Sequence, residues 1–528
     1  MKALSQASAV GEPLASIYRH LAAALAARSK GALEESAVAF SQAPDHTGCD
    51  FSFPCFPLAK AWKSNPAKIA AELAESLGGD EVLERAEAAG PYLNLRLDRA
   101  EVARRVVREV LEEDGYGDSD RQSGDVVMME YVSPNTNKPL HLGHMRNALL
   151  GRSVANLIAS QGAKVLRTDI INDRGIHIAK SMLAYRRFAS GETPESAGLK
   201  GDHFVGRYYV RFDQALSAER QEWLASQDLD LAEQDERAKK KLEERFLAES
   251  ELMAETRDIL QKWEAEDPEI RDLWRLMNSW VYDGFESTYE RLGVHFDKHY
   301  YESDIYQGGR EVILEAVERG VFERAENGAI IAPLSKLEGL KLQDKVVQRG
   351  DGTGLYITQD INLATLKFEE FGLDRSYYCI GSEQNYYMRQ LQATLQMLGF
   401  PWASGLTHLS YGMVYLPEGK MKSREGTVVD ADDLMAQMAS LAAEAVRERF
   451  PELSEDEAAR RGEGIGMAAI VFALLMVGRE TDIHFDPKAS LAFEGKTGPY
   501  LQYGYARIAR ILRKAGEWSR PEGDLALG

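Results

Sequence analysis

The segment from Glu130 to Arg152, EYVSPNTNKPLHLGHMRNALLGR, decides how the rest of the chain is interpreted. It follows the apolar run Val126-Val127-Met128-Met129, whose composition predicts a buried strand. Serine, asparagine and proline residues at positions 133–139 predict a loop, and apolar residues at helical spacing begin near His144. A strand, a loop and a helix N-terminus follow one another, and such a junction offers free backbone N–H groups to a bound anion.

Two histidines, His141 and His144, lie three positions apart at the start of the predicted helix. Their spacing places both imidazoles on one side, and Gly143 between them lets a flat base approach the backbone. Two imidazole donors beside a helix N-terminus favour a triphosphate ligand. A zinc site and two functionless surface histidines are the alternatives, and zinc is disfavoured because no Cys, Asp or Glu stands nearby at ligand spacing.

The string Pro139–Arg146, PLHLGHMR, resembles the HIGH signature of class I aminoacyl-tRNA synthetases. With Ser133-Pro134-Asn135 before it and Asn172-Asp173-Arg174-Gly175 after it, the segment resembles the arginyl-tRNA synthetase family. The HxGH core alone also occurs in small nucleotidyltransferases. The resemblance implies an α/β fold with a Rossmann-like parallel sheet in a class I catalytic domain. It also implies ATP contacts from His141, Gly143, His144 and Met413.

The composition indicates a soluble globular protein, with 44% hydrophobic and 28% charged residues. The 528 residues predict about two to four domains. No apolar run approaches the ~20 residues that a membrane span needs, and the N-terminus lacks the layout of a signal peptide. The three cysteines form no metal or disulfide spacing, so we expect a cytoplasmic protein. A net charge of −20 requires any polynucleotide to meet local basic patches.

Residues 1–115 are predicted to form a small α+β domain, followed by the linker Gly115–Gly124. The predicted elements are helices at Leu14–Ala27, Ala67–Leu77 and Arg99–Glu112 and a strand within Gly90–Leu97. The phrases FPLAKAWKSNPAKIA and GPYLNLRLD resemble the additional N-terminal domain of the family, which implies contacts with the tRNA elbow. A plain cap without a ligand is the alternative. The expected tRNA contacts include Tyr92 and Asn94, with Phe56, Lys60, Lys63 and Lys68 suited to a stacking and phosphate surface.

The catalytic domain is predicted at 125–432, beginning with a parallel βαβ unit whose second strand is Ala163–Ile171. A helix-rich, densely charged insertion is expected at about 190–300, and nothing in it indicates an editing domain. Within it, Gly201–Gly206, GDHFVG, resembles a family segment of unclear chemistry.

The second half of the sheet is predicted within Gly354–Gly399. Leu355–Asp360 is followed by a helix through Lys367, and Ser376–Ile380 is a strand that ends at the loop Gly381–Gln384. An arginine substrate carries a planar cationic fork that carboxylates match. By resemblance, Glu130 and Asp360 hold the guanidinium. The remaining expected contacts are Tyr356 through its hydroxyl, Asn135 and Gln384 near the α-amino group, and Ser133.

Taken singly, these residues have simpler explanations, since Asp360 could cap a helix or pair with an arginine and Tyr356 could be a packing residue. Lys420-Met421-Lys422-Ser423 resembles the second class I signature, KMSKS, with Ser423 in place of its second lysine. The resemblance implies ATP contacts from Lys420, Met421 and Lys422, and Lys138 is expected to supply the missing charge. An ordinary flexible turn is the alternative.

From Asp432 onward the sequence is predicted to be all-helical, and 433–528 resembles the first helices of the family's anticodon-binding bundle. Tyr503 and Arg507 are the expected tRNA contacts there. In the family this bundle normally continues past the position of Gly528, so we expect only part of it in this sequence.

The resemblance implies ATP-dependent activation of L-arginine and its transfer to tRNA(Arg), with activation requiring bound tRNA. His141, His144, Lys138 and Lys420 are the expected catalytic residues. Mg²⁺ is expected with ATP, no protein metal site is expected, and the protein is expected to be a monomer without membrane association. A catalytically impaired tRNA-binding paralogue and a tRNA-independent HxGH-type ligase or nucleotidyltransferase are the alternatives.

Overall fold

The computed structural model describes residues 15–112, 115–227, 235–337, 339–415 and 429–516. These residues form two compact units. The first unit contains the described residues up to Asp125, Leu157–Lys164 and the described residues from Leu512 onward. Val126–Asn156 and Val165–Ile511 make the second.

The first unit is an antiparallel sheet covered by helices, as the predicted α+β class requires. Its helices are α1 (Ala15–Arg28), α2 (Phe56–Trp62), α3 (Pro66–Leu77) and α4 (Arg99–Glu112), and its strands are β1 (Ser41–Gln42), β2 (Phe51–Pro54), β3 (Leu83–Ala89) and β4 (Tyr92–Leu97). The strand order is β1-β2-β4-β3. Helix α3 begins with Pro66 after Asn65, whose side chain caps the Ala67 N–H at 2.8 Å. Its apolar stripe, Ile69, Leu73 and Leu77, is buried in the unit's core.

Strand β3 was not predicted from the sequence. Its residues, LERAEAA, favour a helix by propensity. They form a strand because β4 pairs with them from Leu83↔Leu97 to Ala89↔Tyr92, so tertiary pairing overrides local preference.

The second unit is built on a five-stranded sheet with the order β12-β11-β5-β6-β7. The unit's strands are β5 (Val126–Glu130), β6 (Lys164–Ile171), β7 (Lys298–Tyr301), β8 (Glu323–Arg324), β9 (Ile330–Ala332), β10 (Lys345–Gln348), β11 (Arg375–Gly381), β12 (Leu406–Tyr411), β13 (Val414–Tyr415) and β14 (Ile483–His484). Strand β11 pairs in parallel with β5 and with β12, and β6 pairs in parallel with β7. The Rossmann-like parallel sheet is therefore confirmed.

The helices that begin in the second unit cover this sheet and extend from it. They are α5 (Leu142–Ala159), α6 (Ile176–Phe188), α7 (Pro194–Ala197), α8 (Gly201–Ser226), α9 (Glu236–Glu249), α10 (Glu251–Glu264), α11 (Pro268–Leu292), α12 (Glu302–Ile305), α13 (Arg310–Glu318), α14 (Tyr356–Phe371), α15 (Asn385–Leu398), α16 (Ala431–Arg449), α17 (Glu455–Leu475), α18 (Pro487–Ser490) and α19 (Gly498–Ala515). In the described part of the chain, no helix combines the length and apolar character that crossing a membrane requires.

The expected insertion is present as helices α7 to α11 between β6 and β7. The sheet resumes earlier than predicted, because β7 already pairs with β6 from Thr168↔Lys298 to Ile171↔Tyr301. A further three-stranded antiparallel sheet, β10-β9-β8, was not foreseen. Its strands have only two to four residues each, too few to show an alternating pattern.

Between Asp432 and Gly516, the described residues form helices and their connections apart from β14, which pairs in parallel with β13. Helices α16 and α17 pack closely, as the small residues of α17 predict: a Cβ at Gly462 would lie 2.6 Å from the Ala439 carbonyl oxygen. Residues 433–511 belong to the same compact unit as the sheet. Pairs such as Arg291 with Glu463 join the two sides of the predicted boundary at 432/433, which stays a prediction.

Helix α14 begins at Tyr356, so Leu355–Asp360 is not a segment ahead of the helix, as predicted, but its first turns. The Leu355 N–H is bonded to the Thr358 hydroxyl at 3.1 Å. Tyr356 and Asp360 are therefore one turn apart on a single helix rather than on a loop.

Candidate active site

A cavity of about 410 Å³ opens where strands of the parallel sheet end. Glu130 is the last residue of β5, Gly381 ends β11 and Tyr411 ends β12, and all three line the cavity. Its walls also include the predicted ATP residues His141, Gly143, His144 and Met413 and the predicted arginine residues Glu130, Ser133 and Asp360. Carboxylates and imidazoles from distant parts of the sequence therefore share one chamber at the usual ligand edge of an α/β sheet.

The two histidines lie with their ring centroids 3.8 Å apart and their planes inclined by 32°. The Gly143 N–H donates to His141 Nδ1 at 3.2 Å, and the His141 N–H donates to His144 Nδ1 at 3.1 Å. Because each Nδ1 is an acceptor, each neutral ring carries its proton on Nε2. The helix start thus fixes the tautomer of both rings and leaves each Nε2–H as a donor.

Burial keeps both imidazoles uncharged. Burial and the nearby charge of Lys138 lower the pKa of His141 to about 3. Burial and the charges of His141 and Lys138 lower the pKa of His144 below its usual range. At neutral pH both rings are therefore neutral hydrogen-bond donors. Lys138 does not itself line the cavity, and burial lowers the pKa of its ammonium, so its catalytic role stays a prediction.

Glycine is required at position 143 by local packing as well as by the approach of a ligand. A Cβ at this position would lie 3.0 Å from His141 Cε1 and 3.1 Å from Nδ1, closer than ordinary contact. A side chain at Gly143 would therefore push the His141 ring out of its position.

The loop after β5 contains two residues in the left-handed backbone region, Val132 (φ 72°) and Ser133 (φ 48°). This conformation is costly for a β-branched residue such as valine. Asn147 of α5 supports it by accepting the Val132 N–H at 2.6 Å and donating to the Cys379 carbonyl at 2.8 Å. Asn147 lines the cavity and was not predicted as a site residue.

The Glu130 carboxylate is not free, because it accepts a hydrogen bond from the Lys367 ammonium. Lys367 is 0% exposed and the side chain of Glu130 is 6% exposed. Burial opposes the charge of Lys367, but the adjacent Glu130 keeps the lysine's pKa above its ordinary value. Glu130 therefore already holds one cation and can offer a ligand only its remaining acceptor capacity. Its predicted contact with a guanidinium stays a prediction.

Lys367 is not among the site residues predicted from the sequence. A signal was present, since Lys367 lies seven positions after Asp360 and so on the same face of α14, between the buried residues Ala364 and Phe368. A lysine on an apolar helix face predicts a buried acidic partner.

Asp360 accepts a hydrogen bond from the Tyr387 hydroxyl. Burial raises the pKa of Asp360 to about 6, and the charge of Glu130 adds to this effect, whereas the Tyr387 bond and Lys367 act in the opposite direction. A cationic ligand next to Asp360 would therefore stabilise the ionised carboxylate, which burial disfavours.

Asn135, Tyr356 and Gln384 do not line this cavity. All three are exposed, Tyr356 by 77% at the first residue of α14. The structure thus brings together half of the six residues expected to bind arginine. A contact from the other three stays a prediction.

Arg146 holds the part of the wall that contains Met413. This arginine is 0% exposed, and its guanidinium donates to the carbonyl oxygens of Met413 at 3.1 Å, Arg479 at 3.0 Å and Thr481 at 2.8 Å. Lys420, Met421 and Lys422 lie outside the described residues, so their roles stay predictions.

Of the residues expected to contact tRNA in the first unit, Tyr92 is 44% exposed and packs edge-on against Phe56, which is 53% exposed. Asn94 is 2% exposed. Alternation along β4 places it on the same face as Tyr92, opposite the core residues Leu93, Leu95 and Leu97. Its burial leaves little surface for the predicted tRNA contact. Tyr503 and Arg507 are exposed on α19, with the guanidinium 5.6 Å from the ring centre.

Two family models match the sequence. The catalytic domain of tRNA synthetases class I (R) matches residues 106–198 and 204–487, and the arginyl tRNA synthetase N terminal domain matches residues 15–97. The chain belongs to the class I arginyl-tRNA synthetase family.

Individual members of this family match over most of the chain. An arginine–tRNA ligase of Bacteroides thetaiotaomicron is 47% identical over 466 residues, which are 88% of this chain and 75% of that protein. One of Treponema denticola is 44% identical over 471 residues, 88% of this chain and 74% of that protein. The solved Thermus thermophilus arginyl-tRNA synthetase is 26% identical, with a TM-score of 0.68, and the match covers 96% of this chain and 83% of that one.

The arginyl-tRNA synthetase cavity is not suited to hold Mg²⁺ by itself. Among the described residues that line it, the two carboxylates are Glu130, which is paired with Lys367, and Asp360, which is bonded to Tyr387. Mg²⁺ needs several free oxygen ligands. An Mg²⁺ ion at this site would need further oxygen ligands, which the phosphates of a bound nucleotide would supply.

Proposed function

We propose that this chain is an arginine–tRNA ligase whose activation step takes place in the 410 Å³ cavity. The observation that carries the proposal is the sharing of one chamber by the two imidazoles at the start of α5 and the carboxylates of Glu130 and Asp360. Imidazole donors at a helix N-terminus suit phosphates, and buried carboxylates suit a guanidinium. ATP and arginine are thus recognised side by side.

Arginine is selected by charge and by burial. Asp360 supplies a carboxylate whose ionised form is disfavoured until a cation arrives, since its pKa is raised to about 6. Glu130, already neutralised by Lys367, adds a second acceptor without adding net negative charge. A neutral amino acid of similar size would leave Asp360 without a cationic partner, and an unpaired buried charge is costly.

ATP is bound as its Mg²⁺ complex. The Nε2–H groups of His141 and His144 donate to its phosphates, and Lys138 contributes charge. Because both rings are neutral before ATP binds, they lose no proton and need no reorganisation when the phosphates arrive. Lys420 and Lys422 are proposed to add charge from outside the described residues.

The carboxylate of arginine attacks the α-phosphorus of ATP in line. A carboxylate O–P bond forms, the bond from the α-phosphorus to the bridging oxygen breaks, and pyrophosphate leaves with that electron pair. No general base is required, because an α-carboxyl group with a pKa of about 3.5 is already ionised. Catalysis is positioning and charge stabilisation. A terminal tRNA hydroxyl then takes the arginyl group and releases AMP.

The partners that follow are L-arginine, ATP and tRNA(Arg). The exposed pair Phe56 and Tyr92 in the first unit and Tyr503 and Arg507 on α19 are the proposed RNA contacts. We infer a cytoplasmic enzyme that acts as a monomer.

The test is ATP–pyrophosphate exchange with each of the twenty amino acids, with and without tRNA(Arg), followed by aminoacylation of total tRNA. Exchange and charging with arginine alone are expected. Well-folded protein without exchange would point to a catalytically impaired tRNA-binding paralogue. Product formation that never requires tRNA would point to a small-molecule ligase.

A further inference from the structure

The segment Gly201–Gly206, GDHFVG, forms the first turns of helix α8, and the proposed reaction gives it no role. Its two glycines lie where the helix packs closely against other segments of the chain. A Cβ at Gly201 would lie 1.9 Å from the Trp280 carbonyl oxygen, and one at Gly206 would lie 2.8 Å from Pro139 Cδ. The second contact is with the loop that leads into the His141 motif.

Polar residues of the same turn meet the start of α16. The Lys200 ammonium lies 3.2 Å from Asp202 Oδ2 and 2.6 Å from Asp432 Oδ2, and it also donates to the Thr288 hydroxyl. His203 Nε2 lies 3.2 Å from Asp432 Oδ2 and 3.4 Å from Asp430 Oδ2. Helices α8, α11 and α16 are thus tied together by one charged cluster.

This cluster adjoins a backbone pairing with the histidine motif. The Leu142 N–H donates to the Val429 carbonyl at 3.1 Å, and the Ala431 N–H donates to the Leu140 carbonyl at 3.0 Å. His141 and Asp430 are therefore opposite each other in an antiparallel bridge. The Asp430 side chain also caps α16 by accepting the N–H groups of Asp432 at 2.8 Å and Asp433 at 3.1 Å.

The start of α8 therefore contacts the histidine motif along two routes. Gly206 packs directly on Pro139, two residues before His141. Lys200 and His203 act indirectly, because they hold Asp430 and Asp432, and the backbone beside Asp430 is bonded to Leu140 and Leu142. The start of α8 thus fixes both sides of the turn that positions the two imidazoles.

We propose that Lys200, His203 and Gly206 are positioning residues for the nucleotide site: they hold the Leu140–Leu142 turn, and with it the His141 and His144 donors, in register for the phosphates. The proposal rests on the proposed function for its kinetic consequence but not for its structural one. An error of about 1 Å in placing a catalytic donor can cost about a hundredfold in rate, so a small shift of this turn is measurable.

Asp202, His203 and Asp432 also present ligand atoms within 4.8 Å of one another, a spacing that a cation could use. The Lys200 ammonium contacts both carboxylates and supplies the positive charge that such a cation would bring. The cluster is therefore complete as a charge network of this chain's own residues.

The experiment compares Lys200→Met and Gly206→Ala with matched controls at exposed sites. Lys239→Met removes a lysine that pairs only with exposed Glu236 among the described contacts, and Gly464→Ala places a Cβ in open space on α17. Lys200→Arg keeps the charge and serves as the conservative rescue. For each full-length variant, ATP–pyrophosphate exchange with arginine and tRNA(Arg) gives kcat and the KM values for ATP and arginine.

A second readout does not depend on activity. The chain has ten histidines, so the ¹³C-histidine NMR spectrum of labelled protein can be assigned by single substitutions. We expect Lys200→Met and Gly206→Ala to shift the His141 and His144 signals and to lower kcat about tenfold, with the arginine KM unchanged. Lys200→Arg is expected to recover most of kcat, and both controls to behave as the unsubstituted protein.

Unshifted His141 and His144 signals in both folded variants would overturn the proposal, as would equal kcat losses in the controls. A variant that unfolds is replaced by His203→Gln, which removes a contact to Asp432 and whose His141 signal is then decisive. If the unsubstituted protein shows no exchange, the proposed function fails, and the NMR comparison alone still decides whether this helix end positions the histidines.

Discussion

Lys367 donates to Glu130 in a buried ion pair, although the two residues are 237 positions apart in the sequence. Glu130 lines the cavity together with Asp360. A buried pair of this kind sets the charge of the site before any ligand enters, because neither partner can be screened by water.

We expect Lys367→Met to destabilise the protein by about 3–5 kcal/mol, since it leaves the Glu130 charge buried and unpaired. Urea unfolding followed by circular dichroism measures the effect. The double variant Glu130→Gln, Lys367→Met should recover part of the loss. Lys262→Met, which removes an exposed partner of Asp258, is the control and should leave the urea midpoint where it is. An unchanged midpoint in Lys367→Met would mean that the pair does not exist in solution.

Arginine binding should weaken in acid because of Asp360. Its pKa in the free protein is about 6, and a guanidinium binds the ionised form. Below that pH the dissociation constant should rise by up to about tenfold per pH unit, since a proton must be released on binding. Isothermal titration with arginine from pH 5 to pH 8 tests this expectation.

Asp360→Asn is the matched variant for that titration. It should lose about 1.5–3 kcal/mol of arginine binding free energy at pH 7.5 and most of the acid dependence. Burial raises the pKa of Glu302 to about 7, and the nearby charge of Asp360 adds to this rise. Acid dependence that persists in Asp360→Asn would therefore identify Glu302 rather than Asp360 as the titrating group.

His141→Ala should lower the exchange rate about 10²–10³-fold, as expected when one preorganised donor to a developing charge is removed. The arginine KM should hardly change, because the imidazole faces the phosphate half of the cavity in the proposed reaction. Steady-state exchange kinetics separate the two effects. His46→Ala, at an exposed position of the first unit, is the control. A rise in the arginine KM with an unchanged kcat would contradict the proposed role.

The His203 contacts should make stability depend on pH. The hydrogen bond to Asp432 raises the pKa of His203, burial opposes this, and Asp430 and Asp202 raise it further against the charge of Lys200. Because the folded-state pKa of His203 is raised, its protonated form stabilises the folded protein fully at pH values below the unfolded-state pKa of about 6.5. This stabilisation is lost as the pH rises through the folded-state pKa. His203→Gln should therefore destabilise more at pH 6 than at pH 9.

Urea unfolding of His203→Gln and of the unsubstituted protein at both pH values gives the difference. The acidic partner behaves oppositely: His203 and Lys200 lower the pKa of Asp432 to about 2 against the effect of burial. Its contribution is present above the unfolded pKa of about 3.9 and is lost as the pH falls toward 2. A larger loss for His203→Gln at pH 9 would contradict the assignment of a protonated His203.

The first unit should contact RNA through its exposed aromatic pair and not through Asn94. Phe56→Ala with Tyr92→Ala should cost about 1–3 kcal/mol per stacked base in tRNA(Arg) binding, with the arginine KM unchanged. Filter binding of labelled tRNA measures it. Asn94→Ala should leave tRNA affinity alone if the protein stays folded. Equal tRNA affinity in the aromatic double variant would remove this surface from the proposed interface.

Much of the architecture could be predicted because its signals are local. The strand–loop–helix order around His141, the helices α1, α3 and α4, and strand β11 all follow from periodicity and from turn residues within about ten positions. Elements with weak local signals were missed. Strand β3 has helix-favouring residues, and strands β8, β13 and β14 have only two residues each.

The sequence alone determined the family, the histidine pair of the proposed nucleotide site and the acidic residues of the proposed arginine site, because these are properties of residue type and short spacing. Only the tertiary structure decided that Glu130 is paired with Lys367, that Asn94 is buried, that both imidazoles are neutral, and that His203 meets Asp432 from 229 positions away. Pairing, burial and protonation depend on which distant segments pack together and exclude water, and no local pattern encodes that packing.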